Sequence, residues 1–276
     1  MPIKRRYVTI KNSVLDGKHV FLIDEVTIMP DSEGIRINKY LSEAGVLSRR
    51  KADEEIERGN ITINGDTATQ GQKVFPGDEV CYNGKPVGDK QKKVILAYNK
   101  PLGLVCTAKE ADKDSIFRKL DYPEKLIYVG RLDKDSQGLL LLTTDGELAN
   151  TIQKSRNGHE KEYVVRVDQD ITDDFIKGMR GGVPILDTVT KKCRVVKQGN
   201  RSFRIVLTQG LNRQIRRMCE YFGYRVVFLK RIREMNIELG NLKPGEYREL
   251  TAVEESELRR MCKSEENAYE SGFKKI

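Results

Sequence analysis

The sequence predicts an α+β protein: a small basic module of two helices and a hairpin, followed by a larger domain on a mainly antiparallel sheet with flanking helices. Three observations carry this. Beyond residue 93, short strand-like runs outnumber helical ones and recur without regular strand–helix alternation, which argues against a doubly wound parallel sheet. Before it, apolar residues at helical spacing give way to an Asn-Gly pair between alternating runs, the strongest short hairpin signal. Between the two lies Pro86-Val87-Gly88-Asp89-Lys90-Gln91-Lys92-Lys93, a polar linker. A length of 276 residues suits about two domains.

Taken in order, residues 1–33 offer two short strands, Tyr7–Ile10 and Val20–Ile23, around a turn at Asp16-Gly17, and a break at Pro30 to Gly34. They form an extension with no assigned role, either a small hairpin or a mobile segment. Ile37, Tyr40, Leu41 and Ala44 then line one face of a short helix that Gly45 ends. Ser48 is placed to cap a second helix, Arg49 to Arg58, with Ala52 and Ile56 inside and Gly59 at its end. Ile61–Ile63, Asn64-Gly65 and Thr67–Thr69 give the hairpin, and Glu79–Tyr82 a further strand. This module spans 34–85, with Arg36, Lys39, Arg49, Arg50 and Lys51 on its first turns.

Residues 94–252 hold the larger domain. Val94–Tyr98 is a strand leading into the tight turn Asn99-Lys100-Pro101-Leu102-Gly103. Further strands are expected at Tyr163–Val167, Phe203–Thr208, Val226–Leu229 and Met235–Leu239. Helices are expected at Glu147–Lys154, Thr172–Arg180 and Asn212–Phe222. The tail, 253–276, is a charged helix passing into disorder.

A net charge of +9 and a pI near 9.2 point to a polyanionic partner. No apolar run approaches the roughly 20 residues that span a bilayer, and the basic start has no signal-peptide core behind it, so a cytoplasmic protein without membrane association is expected. Cys81, Cys106, Cys193, Cys219 and Cys262 are scattered and form no Cys-x-x-Cys pair. With only two histidines, His19 and His159, no zinc site of ordinary spacing can be assembled. Nucleotide-binding glycine motifs are absent, so the chemistry is expected to need neither metal nor cofactor.

That chemistry centres on Gly130-Arg131-Leu132-Asp133-Lys134-Asp135-Ser136-Gln137-Gly138, a glycine-bounded turn feeding the apolar run Leu139–Leu142. A carboxylate held at the mouth of a buried strand beside a fixed cation stays ionised and can act as nucleophile or base. Alone, an Arg-x-Asp more often caps a turn or forms a local ion pair. Asp135 reads as structural, and Asp145 as part of the Thr144-Asp145-Gly146 turn.

The segment does not stand alone. With Asn99–Gly103, Lys161-Glu162-Tyr163-Val164-Val165 and Gly210 to Glu220, it resembles the pseudouridine synthases that act on ribosomal RNA. Residues 35–82 likewise resemble the S4 RNA-binding domain, through R-I-N-K-Y-L, S-R-R-K-A-D-E and I-x-I-N-G together. The resemblance implies that Asp133 is the catalytic aspartate and that uridine is isomerised in place. Tyr163 would stack on the flipped base and Ile215 close its other face. Arg216 would pair with Asp133, and Arg131 would hold a phosphate or fill the vacated space. Arg213 and Arg217, one turn apart on the helix after Asn212, would meet the RNA backbone alongside the module's Arg36, Lys39, Arg49, Arg50 and Lys51. Ser136 stands where much of the family has Thr, and the hydroxyl survives.

The segments D-S-Q-G-L, H-E-K-E-Y and G-V-P-I-L-D-T-V-T-K-K-C resemble the large-subunit branch. They imply a uridine of 23S ribosomal RNA near the peptidyl-transferase region, with a tRNA as a second target and a monomeric enzyme. The competing readings are an inactive RNA-binding assembly factor and the same chemistry on 16S RNA.

Overall fold

The computed structural model describes residues 7–15, 18–27, 34–88, 92–108, 112–153 and 158–273. Asp16-Gly17, the break before Gly34, the centre of the linker and Lys154 fall outside them. The chain forms two compact units, Met1–Lys90 and Gln91–Ile276.

The first unit opens with a hairpin, β1 (Tyr7–Leu15) against β2 (Lys18–Thr27), whose strands are longer than the apolar runs alone suggested. After β3 (Ile35–Arg36) come α1 (Ile37–Glu43) and α2 (Arg49–Glu57). Ser48 caps α2, its Oγ accepting from the Lys51 N–H at 3.3 Å. Next are β4 (Ile61–Ile63), β5 (Asp66–Thr67), β6 (Lys73–Val74), β7 (Val80–Tyr82) and β8 (Lys85–Pro86). Asn64 and Gly65 both take positive φ, as a two-residue hairpin whose twist matches its strands requires. Ile37, Leu41, Ala52, Ile56, Ile61 and Ile63 form the core.

The second unit is built on one sheet. Its elements are β9 (Ile95–Lys100), α3 (Ile116–Lys119), β10 (Ile127–Val129), β11 (Gln137–Thr143), α4 (Gly146–Gln153), β12 (Lys161–Val167), α5 (Asp173–Gly181), β13 (Pro184–Ile185), β14 (Thr188–Val189), β15 (Arg194–Gly199), β16 (Ser202–Leu207), α6 (Gln214–Tyr221), β17 (Val226–Glu234), β18 (Ile237–Glu238), β19 (Tyr247–Glu249) and α7 (Ala252–Phe273). Strand order is β15-β16-β12-β17-β11-β9-β19, antiparallel except where β11 meets β17.

The apolar run expected to be a buried strand is β11, and both of its faces are covered. Leu139 and Leu141 pack under α4 and α7, while Leu140 and Leu142 join Tyr98, Ile116 and Leu132 on the other side. Truncating one of these leucines to alanine would cost about 2–5 kcal/mol. The pairing of β11 with β17 needs Gly138: a Cβ there would lie 2.2 Å from the Arg231 carbonyl oxygen.

One expectation is corrected here. Asp145 is more than a turn residue: it is buried, accepts from the Leu148 N–H at the start of α4, and pairs with Lys93 at 3.0 Å and Arg259 at 3.1 Å. The charged helix read in the tail is α7, which runs to Phe273. A capping box starts that helix: Thr251 Oγ1 accepts from the Glu254 N–H, and Glu254 Oε2 accepts from the Thr251 N–H.

Candidate active site

The Asp133 loop is held from beneath. The Ser136 N–H donates to the Asp133 carbonyl at 3.1 Å and the Gly103 N–H to the Lys134 carbonyl at 2.8 Å, so the Asn99–Gly103 turn braces the loop. Lys100 is wholly buried, because register places it opposite Gly138, and its Nζ donates to the Ser136 carbonyl at 2.7 Å and the Pro101 carbonyl at 3.1 Å. Burial pulls its ammonium below the ordinary lysine range, with Cys106, Asp133 and Asp135 opposing.

Above the loop opens a cleft of about 550 Å³ whose lining includes Arg131, Asp133, Tyr163, Arg213, Ile215 and Arg216. All the expected active-site side chains therefore converge. Asp133 is half-buried, Arg131 exposed and Ile215 buried against the core under α6. Burial pushes the Tyr163 phenol up, and the Arg231 charge opposes it.

The expected Arg216–Asp133 pair does not form. Arg216 is buried, and its guanidinium is engaged by the Asp135 carbonyl at 2.6 Å, the Val226 carbonyl at 3.2 Å and the Asp135 carboxylate at 3.3 Å. Among the described residues, the cation paired with Asp133 is Arg213, 3.9 Å away. Arg213 is not helical: it precedes α6 with φ 50° and ψ 35°, which turns its side chain into a two-pronged grip on Asp135 at 3.0 and 2.9 Å. Burial raises the Asp135 carboxyl, but Arg213 and Arg216 outweigh it and hold the group below the ordinary range. Arg213 and Arg217 consequently do not share a helix face; Arg217 turns back to the Asn212 carbonyl at 3.1 Å.

Three charged residues of the cleft were given no role by the sequence. Arg231 and Glu234 are buried, 3.2 Å apart, and the Arg231 Nε donates to the Leu139 carbonyl at 2.6 Å. Lys161 approaches Glu234 at 3.7 Å. Register sets Tyr163 beside Arg231, so this group fixes the wall on which Tyr163 stands. One signal was available: Leu229 and Arg231, two apart on a strand, must share a face.

In the first unit, Arg36, Arg49 and Arg50 are exposed and have no ion pair among the described residues. Lys39 lies 3.6 Å from Glu43, and Lys51 lies 3.1 and 3.3 Å from Glu54 and Glu55, so those two cations are partly neutralised. Burial pushes the Cys193 thiol up to about 11 and the Cys219 thiol up to about 12, which leaves both inert. Among the described residues no group of three or more His, Cys, Asp or Glu is placed to hold a metal, and no helix is long and apolar enough to cross a membrane.

Comparison with known proteins gives two family matches, RNA pseudouridylate synthase over residues 94–221 and the S4 domain over 35–80. The dual-specificity RNA pseudouridine synthase RluF of Escherichia coli O6:H1 is 52% identical over 226 residues, covering 81% of this chain and 78% of the relative. The ribosomal large subunit pseudouridine synthase B of Bacillus subtilis is 32% identical over 243 residues, covering 85% and 99%. A crystal structure of a pseudouridylate synthase superposes with a TM-score of 0.61 at 28% identity, covering 81% of this chain and 99% of the other.

Proposed function

The chain belongs to the family of RNA pseudouridylate synthases, and we propose that it isomerises one uridine of ribosomal RNA to pseudouridine with Asp133 as the reacting carboxylate. The observation that carries this reading is the convergence of Asp133, Tyr163 and Ile215 on one cleft. Isomerisation in place must break the bond from N1 to C1′, turn the base and rejoin it through C5. That requires a base out of its stack, a carboxylate near the sugar and cations holding phosphate. Tyr163 supports one face of the base and Ile215 the other. Asp133 can attack C1′, take the C2′ proton or add at C6, and each route uses the same carboxylate. In our reading Arg213, 3.9 Å away, is the cation beside it, Arg216 fixes the loop through Asp135, and Arg131 holds phosphate or takes the space the base leaves.

The substrate we favour is 23S ribosomal RNA near the peptidyl-transferase region, with a tRNA second; the relatives' names, dual-specificity and large-subunit, support it. In this reading 34–85 captures RNA, 86–93 links, 94–252 performs the chemistry, and the enzyme works as a cytoplasmic monomer.

Pseudouridine mapping of ribosomal and transfer RNA from cells lacking the protein tests this. Loss of one 23S site, restored by wild type and not by Asp133→Asn, is the expected result. A lost 16S site overturns the substrate, and no lost site overturns the activity. Purified Asp133→Asn should bind RNA with less than about twofold change while turnover falls by at least about 10³.

A further inference from the structure

The sheet of the second unit has one half-uncovered face. Tyr163, Leu229 and Arg231 point into the cleft, so the alternate residues Val164 and Lys230 point to the opposite side. That is the side of Leu139 and Leu141, which α4 and α7 cover. Beyond β17 the covering stops. Register aligns Lys230, Val164, Arg204 and Val196 in one row across β17, β12, β16 and β15. The flanking rows bring Arg233, Glu162 and Arg194 together, and Phe228 beside Arg166.

Among the described residues this face carries five cations on β12, β15, β16 and β17, against Glu162 and, opposite Arg233 on β18, Glu238, in a chain with 50 Lys and Arg against 41 Asp and Glu. Glu162 is occupied by Arg233 at 3.1 Å and Arg204 at 3.4 Å, and Arg233 also meets Glu160 at 2.8 Å. Arg166, Arg194 and Lys230 have no ion pair among the described residues. The Arg166 guanidinium lies 5.2 Å over the Phe228 ring, which orients it. A shallow depression of about 220 Å³ runs between Arg194, Val196 and Arg204.

We propose that this face is a second RNA-binding surface, which takes the phosphate backbone of a helix flanking the target uridine. The inference rests on the reading of the chain as an RNA-modifying enzyme. Unpaired cations on a largely polar face suit a polyanion, and Val164 and Val196 between them, with Phe228 covered by Arg166, offer no buried centre for a protein interface. A nucleotide in the cleft does not reach this side, so only RNA longer than the target hairpin engages it.

The test uses the full chain with Arg166→Gln, Arg194→Gln and Lys230→Gln combined. Binding is measured against KCl for two probes: a one-turn hairpin carrying the target uridine, and a long transcript that adds its flanking helices. For the long transcript, the slope of log affinity against log salt should become shallower by about 2–3. Hairpin affinity and single-turnover rate should not change. Arg166→Lys with Arg194→Lys keeps the charge and should keep the wild-type slope, which separates charge from misfolding. An unchanged slope, or equal losses on both probes, overturns the proposal, as does displacement of the long transcript from wild type by poly-glutamate but not by unrelated duplex RNA. Wild type that binds both probes yet makes no pseudouridine overturns the functional reading alone, and the slope still decides this one.

Discussion

On the first turns around α1 and α2, Arg36, Arg49 and Arg50 stand in solvent with no partner among the described residues. Around Asp133 two cations are consumed by structure: Arg216 donates to two carbonyls and lies 3.3 Å from the Asp135 carboxylate, and Arg231 lies fully buried against Glu234. Exposed cations contribute to binding one at a time and are screened by salt. Buried, multiply bonded cations act as parts of one object, and removing a partner strands the rest.

The strongest way to break this contrast is Glu234→Gln, which leaves Arg231 buried without its carboxylate. Urea or thermal unfolding should show a loss of about 3–5 kcal/mol; a loss near that of a surface pair would mean that Arg231 finds water or another partner. Asp135→Asn comes next. It releases Arg213 and loosens Arg216, so single-turnover rate should fall while RNA affinity moves by less than about twofold, with about 1.5–3 kcal/mol of charge-assisted bonding lost. A fall in affinity alone would make Arg213 an RNA contact rather than a brace.

Arg49→Ala with Arg50→Ala should behave in the opposite way. Affinity should drop in two independent steps and the salt slope should fall by about 2, with turnover at saturating RNA unchanged. Non-additive losses would show that these arginines are organised like those of the cleft.

The partly exposed pair of Arg248 and Glu254 lies between the two cases. The Arg248 guanidinium holds the Glu254 carboxyl down to about 2, against an ordinary 4.5. A lowered carboxyl stabilises the fold above its unfolded value, and that contribution drains away as pH falls from about 4.5 towards 2. With solvent screening, Glu254→Gln should cost about 1–2 kcal/mol at neutral pH and almost nothing near pH 2.

What could be read from the sequence follows the same division. Ser48, Asn64-Gly65 and the apolar run of β11 are local signals and lie where their chemistry puts them, because caps, turns and alternation are decided within a few residues. The convergence of Asp133, Tyr163 and Ile215 followed from the motifs. The ion pairs did not. Arg216 could not be assigned its partner because the left-handed Arg213 re-aims the start of α6. Lys100 reads as part of a tight turn and Arg231 and Glu234 fall between the expected strands, and only register shows that these charges face inward.

The parallel pairing of β11 with β17 also sets when the enzyme comes into being. Arg231 meets the Leu139 carbonyl across 92 residues of chain, so the bond that backs the Asp133 loop is among the last that a chain emerging from its N-terminus can close. While translation has yet to pass Glu234, the nascent polypeptide already carries its RNA-binding module and the Asp133 motif but lacks the wall behind Tyr163. A release product ending there would occupy RNA without converting it, which makes premature termination in this region a source of competitors rather than of slow enzyme.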